Sequence, residues 1–324
     1  MDVHQLHKLI EKNWPVTIRD IQIISQKGKW IVAVHCSEGQ FVVKGEKTLL
    51  QDPEEVCHFA SELRAVLPVP LYIKTVNRTY TVVEEELTFT LEQQLEGVEV
   101  PILKTYHIEQ IALALAKMHL FSETTKRQLN QPTTWSLFGG NKTEAIGDYD
   151  ENERSFWEVK EAFQNEMLFS QVEEAYNTLR ASLQAVWSQL PKGATQGDFC
   201  PYNMYFNDNR LTALFDFNLA GDEVLVNECI AVAVYVCWHY PYEGELLPNE
   251  RYDVFIETYE NYRKRSPLEK RCSDALFRII RAFRYDRVDL GIERGDASGF
   301  LEETLAILTQ VTDEKLSLRI EEPQ

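Results

Sequence analysis

A short segment in the second half of the chain holds residue types that suit phosphate chemistry. Asp198 and Asn203 lie five positions apart, and Asp216 follows Asp198 by 18 residues (216 − 198). A carboxylate and an amide oxygen are hard ligands of the kind that Mg²⁺ favours, and a second carboxylate can accept a proton from an attacking hydroxyl. The three residues therefore predict phosphoryl transfer, with Asn203 and Asp216 as metal ligands and Asp198 as general base.

A β-hairpin is the element that would bring these residues together. Residues 204–206 and 211–215 are mostly apolar and flank the polar turn 207–209. Because antiparallel strands return to their origin, we expect Asp216 to lie beside Asn203. A plain turn at Gly197 and a solvated strand end at Asp216 would also explain these residues. The residue types, their spacing and the hairpin pattern between them all point to a site, however, and together they favour it.

The string Gly-Asp-x4-Asn alone has little specificity, because this chain contains it twice. The second copy, at 221–227, leads into a predicted helix and has no Asp-Phe after it. Only the copy that begins at Gly197 is followed by Asp216-Phe217. We therefore interpret the first copy as the catalytic segment.

Segment 196–230 resembles the aminoglycoside phosphotransferase and choline kinase-like family, which includes homoserine kinase-like and spore-coat kinase-like proteins. The family pattern is His-Gly-Asp-x4-Asn, then Asp-Phe-x-x-Ala, then a further acid. Here it is matched by Gln196-Gly197-Asp198 with Asn203, by Asp216 to Ala220, and by Glu228. The resemblance implies a protein-kinase-like bilobal α+β fold over essentially the whole chain, with ATP or GTP and Mg²⁺ as cofactors.

The same resemblance implies a role for each matched residue. Asp198 would be the catalytic base, Asn203 and Asp216 the metal ligands, and Glu228 a brace of the catalytic loop. Gln196 stands where the family usually has His, so the support of the loop departs from the family pattern. Glutamine can still both donate and accept hydrogen bonds.

The order of elements predicts two lobes. Apolar, β-branched runs separated by polar turns indicate strands in the first part, whereas residues 106–120, 153–190 and the stretch after 224 show helical spacing. Residues 153–190 suit one long helix or a helical pair. We predict a small β-rich nucleotide-binding lobe over residues 1–87 and a large, mostly helical lobe over residues 88–324 that carries the catalytic loop and the acceptor pocket.

The resemblance also implies nucleotide-binding residues in the first lobe. Lys44 ends an apolar strand, where the family places the lysine that pairs with the nucleotide phosphates. Its glutamate partner would come from the next helix, on which Glu54, Glu55 and Glu62 all lie, and Glu55 is preferred. That helix should begin after Asp52-Pro53, an N-cap followed by a first-turn proline.

Two further segments complete this lobe. Residues 26–30 occupy the place of a phosphate-covering loop, in which Gly28 is the glycine. Residues 80–87 are expected to link the lobes, and the backbone near Glu85 and Glu86 would meet the adenine edge.

Acidic residues are concentrated after the catalytic segment. Residues 222–260 hold nine acids and one base, Arg251. An acidic pocket would favour a cationic acceptor, such as an aminoglycoside, an amino alcohol or homoserine, and aromatic rings would add cation–π contacts. The candidates are Asp222, Glu223, Trp238, Tyr240 and Tyr242. A solvated acidic face with aromatic core positions is the alternative for most of them.

Composition narrows the class of protein. Thirty-three Lys plus Arg against 51 Asp plus Glu give a net charge of −18, which disfavours nucleic acid and anionic membrane as partners. No secretory signal opens the sequence and the six cysteines form no C-x-x-C pair, so we expect free thiols and a cytoplasmic location.

A small-molecule kinase is favoured. A non-catalytic pseudokinase is the alternative, and the lack of Ala-Pro-Glu after Asp216 argues against a protein kinase. The oligomeric state is open.

Overall fold

The computed structural model describes residues 2–26, 29–48, 52–133, 136–138 and 151–309, the side chain of residue 151 excepted. The chain falls into two compact units, each built from three segments. The first comprises Met1–Gln131, Gly193–Asp222 and Tyr240–Arg263, and the second comprises Pro132–Lys192, Glu223–His239 and Lys264–Gln324.

The first unit contains a five-stranded antiparallel sheet. Its strands follow the spatial order β1-β2-β3-β5-β4, and their bounds are Ile18–Ser25 (β1), Lys29–Cys36 (β2), Gly39–Glu46 (β3), Thr81–Glu84 (β4) and Leu87–Gln93 (β5). Alternate residues of β3 are buried, as the period of a strand with one covered face requires. Leu6, Ile10 and Trp14, on or just after helix α1 (Val3–Asn13), pack in the core that covers one sheet face.

Three more helices belong to this unit: α2 (Pro53–Leu63), α3 (Thr105–Thr125) and α7 (Pro248–Tyr262). The Asp52 side chain accepts the backbone N–H of Glu55 at 3.1 Å, so the predicted N-cap of α2 is confirmed. Helix α3 covers the predicted residues 106–120. It packs on α7, where His119 Nδ1 lies 2.7 Å from the Tyr259 hydroxyl.

Four short strands surround the catalytic segment: β6 (Lys192–Thr195), β7 (Met204–Asn207), β8 (Arg210–Leu214) and β9 (Gly221–Val224). Strands β7 and β8 form the predicted hairpin, with Met204 opposite Leu214. Asp208 adopts a left-handed φ of 50° in its turn, a conformation that aspartate tolerates better than most residues. Strand β6 pairs with β9.

The second unit is helical, with α4 (Glu151–Phe163), α5 (Phe169–Gln184), α6 (Leu225–Val234), α8 (Pro267–Ala282), α9 (Tyr285–Arg294) and α10 (Ala297–Thr309). Of the two alternatives for residues 153–190, one long helix or a helical pair, helices α4 and α5 show the pair. Phe156 stacks on Tyr176 at 4.1 Å between centroids, and Phe283 meets both rings edge-on. This aromatic cluster forms part of the core of the unit.

The prediction that residues 80–87 link the two lobes is wrong, because these residues belong to the sheet. Residues 80–87 include β4 and its turn into β5, and Glu85 and Glu86 occupy that turn with φ values of 47° and 66°. Two successive left-handed residues match the twist of the flanking strands, which favours a tight hairpin over an extended connection. Because β5 continues the sheet to Gln93, the strands extend beyond the expected lobe boundary at residue 87.

In the described part of the chain, no helix is both long enough and apolar enough to cross a lipid bilayer. All six cysteines are free thiols.

Candidate active site

The predicted catalytic loop, residues 196–203, begins where strand β6 ends. Gly197 has a φ of 84°, and a Cβ atom added there would overlap the carbonyl oxygen of Leu219. The position therefore requires glycine both for its backbone conformation and for its close approach to the neighbouring chain. This turn directs Asp198 out of the buried strand into a partly exposed position.

Asp198 and Asn203 are joined directly. The Asn203 side-chain nitrogen donates to the Asp198 carboxylate at 2.8 Å and to its backbone carbonyl at 2.9 Å. These two bonds fix the orientation of the Asp198 side chain. They also commit the amide nitrogen, so the amide oxygen is the end of Asn203 that suits a cation.

Gln196 braces this loop from beneath. It is wholly buried, and its side-chain oxygen accepts the backbone N–H of Asp198 at 2.9 Å. Its nitrogen donates to the backbone carbonyls of Phe215, at 3.1 Å, and of Asp216. One glutamine thus ties the catalytic loop to the segment after β8, because its side chain acts as both donor and acceptor.

Asp216 follows the hairpin in a left-handed conformation, with a φ of 62°. The hairpin returns the chain to the loop, where the backbone N–H of Phe215 donates to the Asn203 carbonyl at 3.0 Å. The Asp216 carboxylate lies 3.0 Å from Lys29 Nζ and 3.7 Å from Lys44 Nζ. Burial alone would raise the pKa of Asp216, but the two ammonium groups together hold it below its usual value.

Lys44 lies on β3, as predicted, and its Nζ is 2.6 Å from Glu92 Oε1. Burial would lower the pKa of Lys44, but the carboxylates of Glu92 and Asp216 outweigh it and raise the pKa above its usual value. The preferred partner, Glu55, instead pairs with Arg127 at 2.8 Å. Its position on α2 turns it toward Arg127, so the expected pairing is corrected.

A cleft adjoins these groups within the first unit. The sheet contributes Lys44 and Thr90, helix α2 contributes Val56 and Cys57, and residues 216–218 close one side. An apolar lining with a few charged groups is typical of pockets that bind small ligands.

The donor set suits Mg²⁺. Asp216 offers a carboxylate and Asn203 an amide oxygen, and Mg²⁺ is usually held by one or two carboxylates together with phosphate oxygens and water. Among the described residues no group of three His, Cys, Asp or Glu side chains forms a metal cage.

Two acids expected in the acceptor pocket are held by the protein itself. Asp222 is buried, and its two oxygens accept the backbone N–H groups of Leu129 and Asn130, both at 2.8 Å. In the second unit, the buried Glu223 accepts hydrogen bonds from Thr133, Ser136, Asn227 and the Val224 N–H. Burial raises the pKa of Glu223 to about 7. These bonds give both acids a structural role.

Two of the three expected aromatic residues already meet cations of the chain. The Arg251 guanidinium lies 4.3 Å from the Tyr242 ring centre, and that of Arg281 lies 5.3 Å from a Trp238 ring. An intramolecular arginine on a ring face competes with a cationic ligand for that face.

Tyr240 has a different environment. Its hydroxyl donates to the Val100 carbonyl at 2.8 Å, and its ring centre is 5.3 Å from that of Tyr202. Tyr202 is exposed and lies within the catalytic loop, between Asp198 and Asn203. Of the predicted acceptor-pocket residues, Tyr240 therefore contacts the catalytic loop, through Tyr202, which was not predicted.

The remaining predicted residues lie elsewhere. Glu228 is buried in the first turn of α6, in the second unit. Gly28 lies outside the described residues. Glu85 and Glu86 stand at the tip of the β4–β5 hairpin.

Two charged residues of the site were missed by sequence reasoning. Lys29 opens β2, and its pairing opposite Glu46 places it diagonally to Lys44 on the same sheet face. Glu92 lies opposite Val42, and so also diagonally to Lys44. A lysine within the predicted phosphate loop was a usable signal, whereas Glu92 became recognisable only through strand register.

Solved structures share this fold at low sequence identity. An aminopropanol kinase associated with a microcompartment matches with a TM-score of 0.64, 13% identity and coverage of 95% of this chain and 98% of that one. Spectinomycin phosphotransferase, in complex with ADP and spectinomycin, matches with a TM-score of 0.55, 12% identity and coverage of 97% and 95%. The predicted protein-kinase-like α+β fold is confirmed.

Sequence comparisons point the same way. Homoserine kinase from Rhizobium etli is 29% identical over 154 residues, which are 46% of this chain and 41% of that protein. Homoserine kinase from Polaromonas naphthalenivorans is 27% identical over 184 residues, or 55% and 51%. The chain thus spans about half the length of the curated relatives it matches. The family model described as "Phosphotransferase enzyme family" matches residues 44–267, from the lysine of β3 to the start of α8. The chain belongs to the phosphotransferase enzyme family.

Proposed function

We propose that this protein is an ATP- and Mg²⁺-dependent small-molecule kinase that phosphorylates a hydroxyl of an amino-bearing acceptor. One observation carries the proposal: Asp198 is oriented by Asn203 at 2.8 Å, in the same unit in which Asp216 faces Lys29 and Lys44. A base, two metal-binding oxygens and two cations form the set that phosphoryl transfer uses.

Each residue has a definite task in this reaction. Asp198 accepts the proton of the acceptor hydroxyl while the hydroxyl oxygen forms a bond to the γ-phosphorus of ATP. The bond between the γ-phosphorus and the bridging oxygen breaks, and that oxygen leaves with ADP. Lys44 and Lys29 offset the negative charge of the phosphates. Asp216 and Asn203 would hold Mg²⁺, which neutralises charge on the transferred group. The Gln196 bonds keep the base and the metal-binding segment in register.

The acceptor class is supported by the family rather than by the acidic segment. Aminopropanol and homoserine each carry a hydroxyl and an amine, and proteins named for them are among the similar proteins. Most of the acids and aromatic rings predicted to bind a cationic acceptor already contact other groups of the protein. The acids accept hydrogen bonds and the rings face arginine side chains. The Tyr202–Tyr240 pair, beside the catalytic loop, is the acceptor-side surface that we favour. Six free thiols agree with a cytoplasmic location.

A phosphotransfer screen tests the function directly. Purified protein is incubated with ATP or GTP, Mg²⁺ and a panel of amino alcohols, homoserine, aminoglycosides and sugars, with ADP or GDP release as readout. Asp198→Asn keeps the shape of the side chain and removes the base, so we expect kcat to fall by roughly 10²- to 10⁴-fold. Full transfer by Asp198→Asn and Asp198→Ala on an identified acceptor would show that the mechanism is wrong.

A non-catalytic nucleotide-binding protein with this fold is the competing function. Calorimetric titration with ATP, with and without Mg²⁺, separates the two. Metal-dependent binding accompanied by acceptor-dependent ADP release supports the kinase. Metal-dependent binding without any transfer across the panel supports the competing function, and metal-independent or absent binding contradicts the kinase proposal.

A further inference from the structure

We propose that Glu92, on strand β5, rather than a glutamate of helix α2, is the acid that positions Lys44 for the nucleotide. The proposal rests on the proposed kinase function. Glu92 Oε1 lies 2.6 Å from Lys44 Nζ, and the two side chains are 4% and 14% exposed. A charge-assisted hydrogen bond with so little solvent access holds its donor in one place.

Strand register explains why this pair forms. In the β3–β5 ladder Lys44 stands opposite Thr90, and Glu92 stands opposite Val42. Cross-strand partners share a sheet face, and diagonal neighbours on that face lie within reach of long side chains. Lys44 and its partner are thus carried by two adjacent hydrogen-bonded strands of one rigid sheet.

The glutamates of α2 have other partners. Both oxygens of Glu54 accept the backbone N–H of Tyr80, and one also accepts the Thr81 N–H, so Glu54 anchors the start of β4. Glu55 and Glu62 share one helix face, seven residues apart, and both pair with Arg127, at 2.8 and 3.1 Å. The α2 residues that line the cleft with Lys44 include Val56 and Cys57, which carry no carboxylate.

This arrangement has a functional consequence. Where a helix supplies the positioning acid, rotation or displacement of that helix can release the lysine. Here the acid and the lysine move together with the sheet. We therefore expect Lys44 to keep its acid partner when α2 is displaced.

The test compares Glu92→Gln with Glu55→Gln and with a control, Glu62→Gln, in the full chain. The first readout is independent of activity: trace acetylation with acetic anhydride, with the modification of Lys44 quantified by mass spectrometry. Glu92→Gln removes the carboxylate that protects the ammonium group, so we expect Lys44 acetylation to rise several-fold. The other two variants should match the wild type.

The second readout is kinetic. We expect Glu92→Gln to lower kcat/KM for ATP by about 10- to 100-fold, the range for loss of a charged hydrogen bond, with the acceptor KM unchanged. Glu55→Gln and Glu62→Gln should stay within about twofold, as for exposed ion pairs. Glu92→Asp keeps the charge on a shorter side chain and should lose less activity than Glu92→Gln. It also serves as the test variant if Glu92→Gln does not fold.

Unchanged Lys44 acetylation in the Glu92 variants, or an increase in Glu55→Gln alone, would overturn the proposal. If acetylation rises as expected but neither wild type nor variants transfer phosphate, the Glu92–Lys44 pairing stands and the kinase function fails. The two proposals therefore fail by different results.

Discussion

Gln196 offers a sharp test of how the catalytic loop is held. Glu at this position has the same shape as Gln, but replaces the donor nitrogen by an oxygen. That nitrogen donates to the carbonyls of Phe215, at 3.1 Å, and of Asp216, while the other end of the side chain accepts the Asp198 N–H. Gln196→Glu therefore keeps the bond to the loop and turns both bonds to the segment after β8 into repulsions.

The magnitude follows from burial. Gln196 has no exposed surface, so each carbonyl left without its donor costs about 1–3 kcal/mol. An ionised, unpaired carboxylate at this depth would cost still more, so the loop and the segment after β8 should separate to let water in. A displacement that costs about 3 kcal/mol in the transition state lowers kcat by roughly 10²-fold. Protonation of Glu restores one donor, so activity should partly return as the pH falls.

The assay is kcat for ADP release with an acceptor from the screen, at several pH values, alongside Mg-ADP titration and the melting temperature Tm. Gln196→His is the matched control. An imidazole supplies one donor and one acceptor, and it is the residue that the family resemblance leads us to expect here. Its kcat should stay within about tenfold of wild type. If Gln196→Glu keeps wild-type kcat and Tm at neutral pH, the bracing role assigned to Gln196 is refuted.

Three further perturbations test neighbouring parts of the structure. Lys29→Gln removes one of the two cations at Asp216 and should raise the KM for ATP by about tenfold with a smaller effect on kcat; an unchanged KM over a range of salt concentrations would exclude Lys29 from phosphate binding. Asp222→Asn turns an acceptor of a backbone N–H into a donor. It should therefore cost about 1–3 kcal/mol of stability and lower Tm without changing the KM for the acceptor. A higher acceptor KM with an unchanged Tm would return Asp222 to the acceptor pocket. Burial raises the pKa of Glu223 from 4.5 to about 7, so its contribution to stability should fall by about 3 kcal/mol as the pH rises from 4.5 to 7, because the native state binds the proton more tightly. Glu223→Gln should lose that slope in Tm against pH, and an identical slope in both proteins would contradict the assignment.

The catalytic segment was predictable because its geometry is local. A hairpin of short strands brings Asp216 back to Asn203 without help from the rest of the chain, and the observed register does so. The capped start of α2 was predictable for the same reason, since Asp52 and Pro53 act on the next turn of backbone. The geometry of a short hairpin or a helix N-terminus is set mainly by residues close in sequence, so it can be predicted from the local sequence.

The partner of Lys44 was not predictable, because two long-range facts decide it. One is the rotation of α2, which directs Glu55 toward Arg127, 72 residues further along the chain. The other is the pairing of β3 with β5, which only the folded sheet defines. The prediction of a linker at residues 80–87 was wrong because the turn has no recognisable sequence signal. Glu85 and Glu86 form a tight hairpin turn without the Asn-Gly type of sequence that usually marks one.

In this acidic chain, strand register determines where the two lysines of the proposed nucleotide site lie. A chain with a net charge of −18 should repel ATP at long range. Lys29 and Lys44 nevertheless lie diagonally on one sheet face and converge on Asp216. A shift of β2 by one residue against β3 would send Lys29 to the opposite face and leave Asp216 with one cation. If the protein binds ATP as proposed, its affinity depends on strand pairing in the sheet, and variants that loosen β2 should weaken nucleotide binding even when no charge is removed.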